Sequence, residues 1–518
     1  MRRFAILIAT VLLGAAAPAP ERVDLIIRGG TIYTGSDPPI VGDVAVSGGR
    51  IRGVGRRLPY SATRVIDARG MIVAPGFIDP HTHLGAQLAA ADPRTRLIPA
   101  FLMQGVTTAF IGNDGGGDPD LRSVLGSARR LPVGINYAAY VGFGEVRRAV
   151  IGEADRPPTP AELARMRQMV ASAMCHGALG LSTGLFYAPQ SFARTDEVVA
   201  LAREAGARGG IYDSHIRDES SYSIGLAAAI DEAITIGREG RLPVNISHIK
   251  ALGVDVHGQA PAIIARIEAA RRAGQRVTAD QYPWSASGTS MAASLVPRWA
   301  HDGGRAALLR RFDDPSAMTR LRADMAENLR RRGGADSLLI TEGQYRGRRL
   351  VEVARTLGVE PIAAAIAVIR ISDPSVASFN QTEEDIAAFM RRPWVMTSSD
   401  ASGGHPRAYG SFARKYAEYV RGRNVLSLRD FIERSTALPA DAFRLADRGR
   451  LRPGAFADVV VFDPRSYAAR ATYEAPTLLA AGVRTVLVNG VPAVENGALT
   501  GAAAGQAIAQ TPPAGTCP

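Results

Sequence analysis

The chain has 518 residues, of which 46% are hydrophobic and 21% charged, and a net charge of +12. That is too long for one small core and has the composition of an ordinary globular enzyme, not of a disordered or fibrous chain. The positive charge is scattered along the sequence without a basic stripe or interleaved aromatic platforms, so no nucleic-acid partner is expected. Only Lys250 and Lys415 are lysines among 61 basic residues, and the rest are arginines.

Taken from the N-terminus, residues 1–20 read as a secretory signal. Arg2 and Arg3 precede a ten-residue apolar run at 4–13, and Ala15, Ala16 and Ala17 offer small residues for cleavage. The run is too short to span a bilayer. The expected product is an exported protein, periplasmic or secreted, with no membrane span after cleavage. The only cysteines are Cys175 and Cys517, and Cys517 sits in a Pro/Gly-rich tail, so a structural disulfide is not expected.

Residues 21–71 alternate short apolar strands with turns, and a matching set returns at 437–510. Together they predict a small β-sandwich built from both ends of the chain, with 511–518 as a tail. Between them, eight strand-like runs occur at 72–79, 107–112, 133–141, 178–183, 211–214, 244–247, 277–280 and 395–399. Helical patterns lie between most of them, as at 160–176, 195–206, 224–238 and 261–273. Eight such units over 72–436 predict an α/β fold, a (β/α)8 TIM barrel. A doubly wound open sheet would want a Gly-rich phosphate turn after its first strand, where this chain has His-Thr-His. The stretch 285–391 is too long for a loop and is read as a subdomain or lid inserted between strands 7 and 8 near the barrel mouth, with a solvated helical insert that takes no part in catalysis as the alternative.

The chemistry concentrates at the ends of these runs. His81 and His83 are spaced i, i+2, which puts both imidazoles on one face of a strand. His215, His248 and Asp400 close three later runs. In a barrel those ends share one rim, where active sites sit. Nitrogen and carboxylate ligands at an open site suit Zn²⁺. Such an ion would activate water against a carbonyl, with Asp400 as general base and acid. Lys250 shares the strand face of His248 and, as a compact ammonium in an arginine-rich chain, is a candidate clamp for a substrate carboxylate together with Tyr282. Arg407 and Arg298 are further anion-binding candidates.

Several longer stretches carry a resemblance: Pro75-Gly-Phe-Ile-Asp-Pro-His-Thr-His, Gly177-Ala-Leu-Gly-Leu-Ser-Thr-Gly-Leu, His215-Ile-Arg-Asp-Glu, Ile246-Ser-His-Ile-Lys, Thr278-Ala-Asp-Gln-Tyr-Pro and His405-Pro-Arg-Ala-Tyr-Gly. From about residue 23 to 508 the chain resembles the D-aminoacylase (N-acyl-D-amino-acid deacylase) family of the amidohydrolase superfamily. The resemblance implies one or two zinc ions and hydrolysis of a small-molecule N-acyl-D-amino acid. It implies His81, His83 and Asp400 at one metal position, and His215 with His248 at the other. It also implies a role for Lys250 and Tyr282 at the substrate α-carboxylate. Three positions depart from the family pattern. Asn113-Asp114-Gly115 stands where an Asn-Cys-Gly turn carries a metal-ligating cysteine, so Asp114 is expected to ligate in its place. Leu84-Gly85 stands for Tyr-Asp, and Gly142-Phe143-Gly144 for Gly-His-Gly. A dipeptidase acting on a C-terminal D-residue remains an alternative. A cyclic-amide hydrolase would want a lysine on the fourth strand, which has none. A catalytically silent binding protein on the same fold is the alternative from a different class. The sequence carries no indication of oligomeric state.

Overall fold

The computed structural model describes residues 21–517, so the expected signal at 1–20 lies outside the described residues. Among those residues no helix is long and apolar enough to cross a membrane.

Eight parallel strands form the central barrel: Phe77–Asp79, Val106–Ile111, Asn136–Ala139, Gly180–Gly184, Ile211–His215, Val244–Ile246, Val277–Gln281 and Val395–Thr397. Neighbours pair in sequence order, and the third strand continues past Tyr140 as Val141–Gly142 to reach the fourth. The barrel closes between its first and last strands, where Thr82 bridges Ala401 and the Asp400 N–H donates to the His81 carbonyl at 3.0 Å. Amphipathic helices pack outside, among them Pro160–Cys175, Thr195–Ala207, Leu226–Gly240 and Ala260–Arg272. The first of these opens with a reciprocal capping box between Thr159 and Glu162, which satisfies two donors at the helix start.

Three boundaries differ from the sequence expectation. The run at 72–79 is two strands. Ile72–Pro75 joins the small sheet by pairing with Val459–Phe462, and the barrel strand starts at Phe77. Gly76 makes the break: a Cβ there would lie 2.2 Å from Thr107 Oγ1, so only glycine lets the chain cross at that point. The insert ends earlier than 391, because helix Glu383–Met390 belongs to the barrel shell, with Phe389 in the main core. Helix Ala437–Ala442, expected with the C-terminal β-unit, instead helps close the barrel floor. Ala440, Phe443 and Leu445 pack there against Phe110, Ala138 and Met396. The flanking β-unit is one nine-stranded hydrogen-bonded sheet made from both chain ends, and it buries Leu25, Ile27, Val44, Val73 and Val461 together.

The insert has a core of its own. A three-stranded antiparallel sheet, ordered Ala286–Ser290, Ser375–Phe379, Leu338–Ile340, packs with Leu295, Leu321, Met325, Leu350 and Ile369.

Cys175 and Cys517 form a disulfide, contrary to expectation. The tail composition said nothing about its path. Residues 505–510 run along the third barrel strand and the turn after helix Pro160–Cys175, with Gly505, Ile508 and Gln510 donating to Val133, Tyr137 and Gly177 carbonyls. That strap carries the last cysteine to the helix end. Cys175→Ser is expected to lower stability by about 2–4 kcal/mol, since a long loop loses its closure. Denaturant midpoints of oxidised wild type and variant measure this, and coincident curves would make the bond neutral.

Candidate metal centre

Six ligand-type side chains converge on the C-terminal rim of the barrel. His81 and His83 follow the first strand, Asp114 the second, His215 ends the fifth, His248 follows the sixth and Asp400 the eighth. His81, His215, His248 and Asp400 are buried, whereas His83 is 36% exposed and faces the opening. Asp114 stands at the centre. Its Oδ1 lies 3.4 Å from His81 Nε2 and 3.6 Å from His248 Nε2. Its Oδ2 lies 3.5 Å from His83 Nε2 and 3.7 Å from His215 Nδ1. Asp400 Oδ1 sits 3.2 Å from His83 Nε2 and 3.6 Å from His81 Nε2. Asp114, His248 and Asp400 all have positive φ, at 56°, 34° and 49°. A non-glycine residue held there is rare and strained, and such residues cluster at functional sites.

The residues fit a divalent cation. Both ring nitrogens of His81 and of His215, and Asp114 Oδ1, are buried with no hydrogen-bond partner. Leaving such atoms unpaired costs about 1–3 kcal/mol each, and ligation would satisfy them. Burial works against charge on His81, yet Asp114 and Asp400 outweigh it and push the imidazole up to about 10. Burial and Lys250 oppose charge on His248, and Asp400, Glu219 and Asp114 raise it to about 9. The field at this point therefore favours positive charge. One group of potential ligands, with ligand atoms within 4.8 Å of one another, is His81, Asp114, His248 and Asp400, and another is His215, Glu219 and His248. His248 thus belongs to both, rather than to His215 alone.

A belt of buried polar groups beneath these residues locks the strand ends. Asn113 Nδ2 donates to Asp213 (3.0 Å), and Asn245 Nδ2 donates to Asp213 (2.8 Å) and Asp280 (2.7 Å). Asp280 in turn accepts from the His248 N–H, and Asp79 from the Ser399 and His81 N–H groups.

The expected anion binders separate. Lys250 is buried, with Nζ 2.5 Å from Glu219 Oε1 and 2.7 Å from His248 Nδ1. Arg407 is buried, pairs with Asp400 Oδ2 at 2.6 Å and donates to Ser402 Oγ at 2.8 Å. Tyr282 lies between these two cations, its ring 5.7 Å from Lys250 Nζ and 5.1 Å from the Arg407 guanidinium, and its hydroxyl accepts from Gln381. Arg298 is not brought to the cluster. Its guanidinium stacks 4.2 Å over Phe186 and lines a separate cavity of about 210 Å³ that shares Tyr187 and Ser290 with the central one. His176, His257 and His301 lie apart from the centre.

Sequence reasoning did not single out Glu219 or Tyr187. Glu219 sits four residues after His215 and pairs with both Lys250 and His248 Nδ1, so the His-x-x-x-Glu spacing was its signal. The Tyr187 ring lies 4.8 Å from that of His215, tilted by 58°, and had no such signal.

The ligand cluster opens into a cavity of about 310 Å³. His83, Asp114, Asp400 and Arg407 form its floor, and the insert contributes Thr289, Ser290, Thr341 and Ser375 to its wall. Thus the inserted subdomain completes the site.

Comparison with known proteins agrees with this geometry. The amidohydrolase family profile matches residues 64–494. D-aminoacylase from Alcaligenes xylosoxydans xylosoxydans is 34% identical over 94% of this chain and 98% of its own length. The crystal structure of N-acyl-D-glutamate deacylase from Bordetella bronchiseptica, complexed with zinc and a phosphonate mimic of the tetrahedral intermediate, is 31% identical. It superposes with a TM-score of 0.80, covering 94% of this chain and 100% of that one. A D-aminoacylase structure with a binuclear metal centre matches with the same TM-score and coverage at 32% identity. The chain belongs to the amidohydrolase family, in the branch of the D-aminoacylases and N-acyl-D-amino-acid deacylases.

Proposed function

We propose that the protein hydrolyses the amide bond of N-acyl-D-amino acids to a carboxylate and a free D-amino acid, with zinc as its metal. The observation that carries this reading is the convergence of four histidines around Asp114 and Asp400, with the ring nitrogens of His81 and His215 unpartnered, beside a cavity that His83, Asp114 and Asp400 line. His81, His83, Asp114, His215, His248 and Asp400 would hold one or two ions. A divalent cation there lowers the pKa of water toward neutrality and polarises an amide carbonyl.

The chain's own residues do the rest. Asp400 is held by Arg407 through one oxygen and turns the other toward His81 and His83. Burial disfavours its charge, but Arg407 and the histidines keep it ionised. It takes the proton that the attacking water loses and returns it to the amide nitrogen, so that one C–O bond forms and one C–N bond breaks. Arg407 lines the cavity as the cation that would meet an α-carboxylate, and the Tyr282 ring stands between it and Lys250, which is paired with Glu219. Arg298, a cation in the adjoining cavity, is placed for an acidic substrate side chain.

A screen of zinc-loaded protein against paired N-acetyl-D- and N-acetyl-L-amino acids and D-terminal dipeptides tests this reading. Turnover of the D-configured acetyl compounds supports it. Exclusive turnover of dipeptides, or none, would replace it with the dipeptidase or binding-protein reading. Lys250→Met is expected to raise KM for N-acyl amino acids far more than it lowers kcat, as loss of uniform binding does. An unchanged KM, or an equal loss on carboxyl-amidated substrate, would take Lys250 out of the carboxylate clamp.

Export to an oxidising compartment is part of the proposal. The Cys175–Cys517 pairing supports it, since disulfides persist mainly in such compartments. Fractionation of cells expressing the full chain checks it: the protein belongs in the periplasm or medium, without residues 1–20.

A further inference from the structure

A second cavity, of about 360 Å³, adjoins the central one, and the backbone of Gly116 is part of both walls. We infer that this side cavity is an acyl-chain subsite and that the enzyme takes N-acyl substrates with an extended aliphatic acyl group. This rests on the amide-hydrolase reading of the centre and adds the class of acyl group.

The walls of the two cavities differ in chemistry. The central cavity meets its ligand with His83, Asp114, Asp400 and Arg407, charged and polar groups that an alkyl chain would desolvate without return. The side cavity is bounded by Leu88, Ile111, Val124 and the Tyr137 ring. Two of its hydroxyls are engaged, Tyr137 OH and Ser127 Oγ both donating to the Val124 carbonyl, whereas the Tyr140 hydroxyl is buried without a partner. The rest of the lining is mainly aliphatic side chains and glycine backbone, with Asp118 and Ser123 as further polar members.

Position settles which part of the substrate goes there. The first barrel strand carries His81 and His83. On one side of it, the segment after the eighth strand supplies Asp400 and Arg407, the flank assigned to the amino-acid carboxylate. On the other side, the turn after the second strand supplies Asp114 and, two residues on, Gly116. An amide held at the centre with its nitrogen substituent toward Arg407 directs its acyl substituent toward Gly116. No side chain stands at Gly116 or at Gly85, which lines the side cavity next to Leu84. A Cβ at Gly85 would meet nothing within 4 Å, and φ there is not positive, so a larger residue can be placed there without backbone conflict.

The test is the acyl-length dependence of kcat/KM for zinc-loaded wild type, Gly85→Leu and Ala89→Trp, using one D-amino acid acylated with acetyl, butyryl, hexanoyl and octanoyl groups. Wild type is expected to gain about fourfold per added methylene until the cavity is filled. Both variants should keep the acetyl rate and lose the gain. Flat or falling wild-type rates with length, or an undiminished gain in both variants, would overturn the subsite. Calorimetric titration with octanoate, compared with acetate, separates this from failure of the activity reading. If no N-acyl-D-amino acid is hydrolysed, octanoate binding that exceeds acetate in wild type and is lost in both variants still supports the subsite. Equal binding of octanoate and acetate to wild type, or octanoate binding unchanged in both variants, overturns it.

Discussion

Asp400→Asn is expected to lower kcat by about 10²–10⁴ while the protein still folds. The carboxylate ends the last barrel strand and is placed to move a proton. One oxygen is fixed by Arg407 at 2.6 Å, and the other stands 3.2 Å from His83 and 3.6 Å from His81. Asparagine keeps the size of the side chain and tolerates the positive φ of 49°. It cannot take a proton from water, and it leaves the Arg407 guanidinium without its counterion. A loss of stability is therefore expected alongside the loss of rate. Elemental analysis separates the two roles of this residue: retained metal with lost turnover marks the proton carrier, and loss of both marks the ligand. A variant that kept more than half of the wild-type kcat would remove Asp400 from the mechanism.

The second large effect is expected at Asp114. Its two oxygens face different histidine pairs, His81 with His248 and His83 with His215, so this one carboxylate spans the whole cluster. The turn does not depend on its side chain. Gln190 Nε2 donates to the Asp114 carbonyl, Ser182 Oγ accepts from the Gly115 N–H, and the Gly116 N–H closes on Asn113. Asp114→Ala is thus expected to lower metal content and activity together. Asp114→Asn, which tolerates the φ of 56° better than alanine, controls for backbone strain and should lose metal as well. Asp114→Cys should bind zinc more tightly, because a thiolate is the softer ligand. Wild type should accept Mn²⁺ or Co²⁺ with retained activity, because a carboxylate suits a wider set of divalent ions. Metal content identical in wild type and Asp114→Ala, with identical rates, would refute the ligand role.

The barrel was legible in the sequence because its signals are local. Alternation of apolar runs and amphipathic helices follows from strand and helix periods, which any short window reveals. The placement of His81, His83, His215, His248 and Asp400 at strand ends is equally local, and the barrel topology carries those ends to one rim. The insert announced itself by length alone. Its core, and its supply of Thr289, Ser290, Thr341 and Ser375 to the cavity, needed the folded chain.

What only the tertiary structure decided is who meets whom. Arg407 and Lys250 looked alike as candidate clamps. Packing sends one to Asp400 and the other to Glu219 and His248 Nδ1, while Arg298 stacks in a neighbouring cavity. Cys517 looked idle in a Pro/Gly-rich tail until the strap at 505–510 carried it to Cys175. The strand at 72–79 read as continuous because Gly76 is punctuation only when Thr107 crowds it. Period and composition set the backbone pattern residue by residue. Pairings across tens to hundreds of residues depend on side-chain reach, burial and the balance of charge, and these exist only once the barrel has closed.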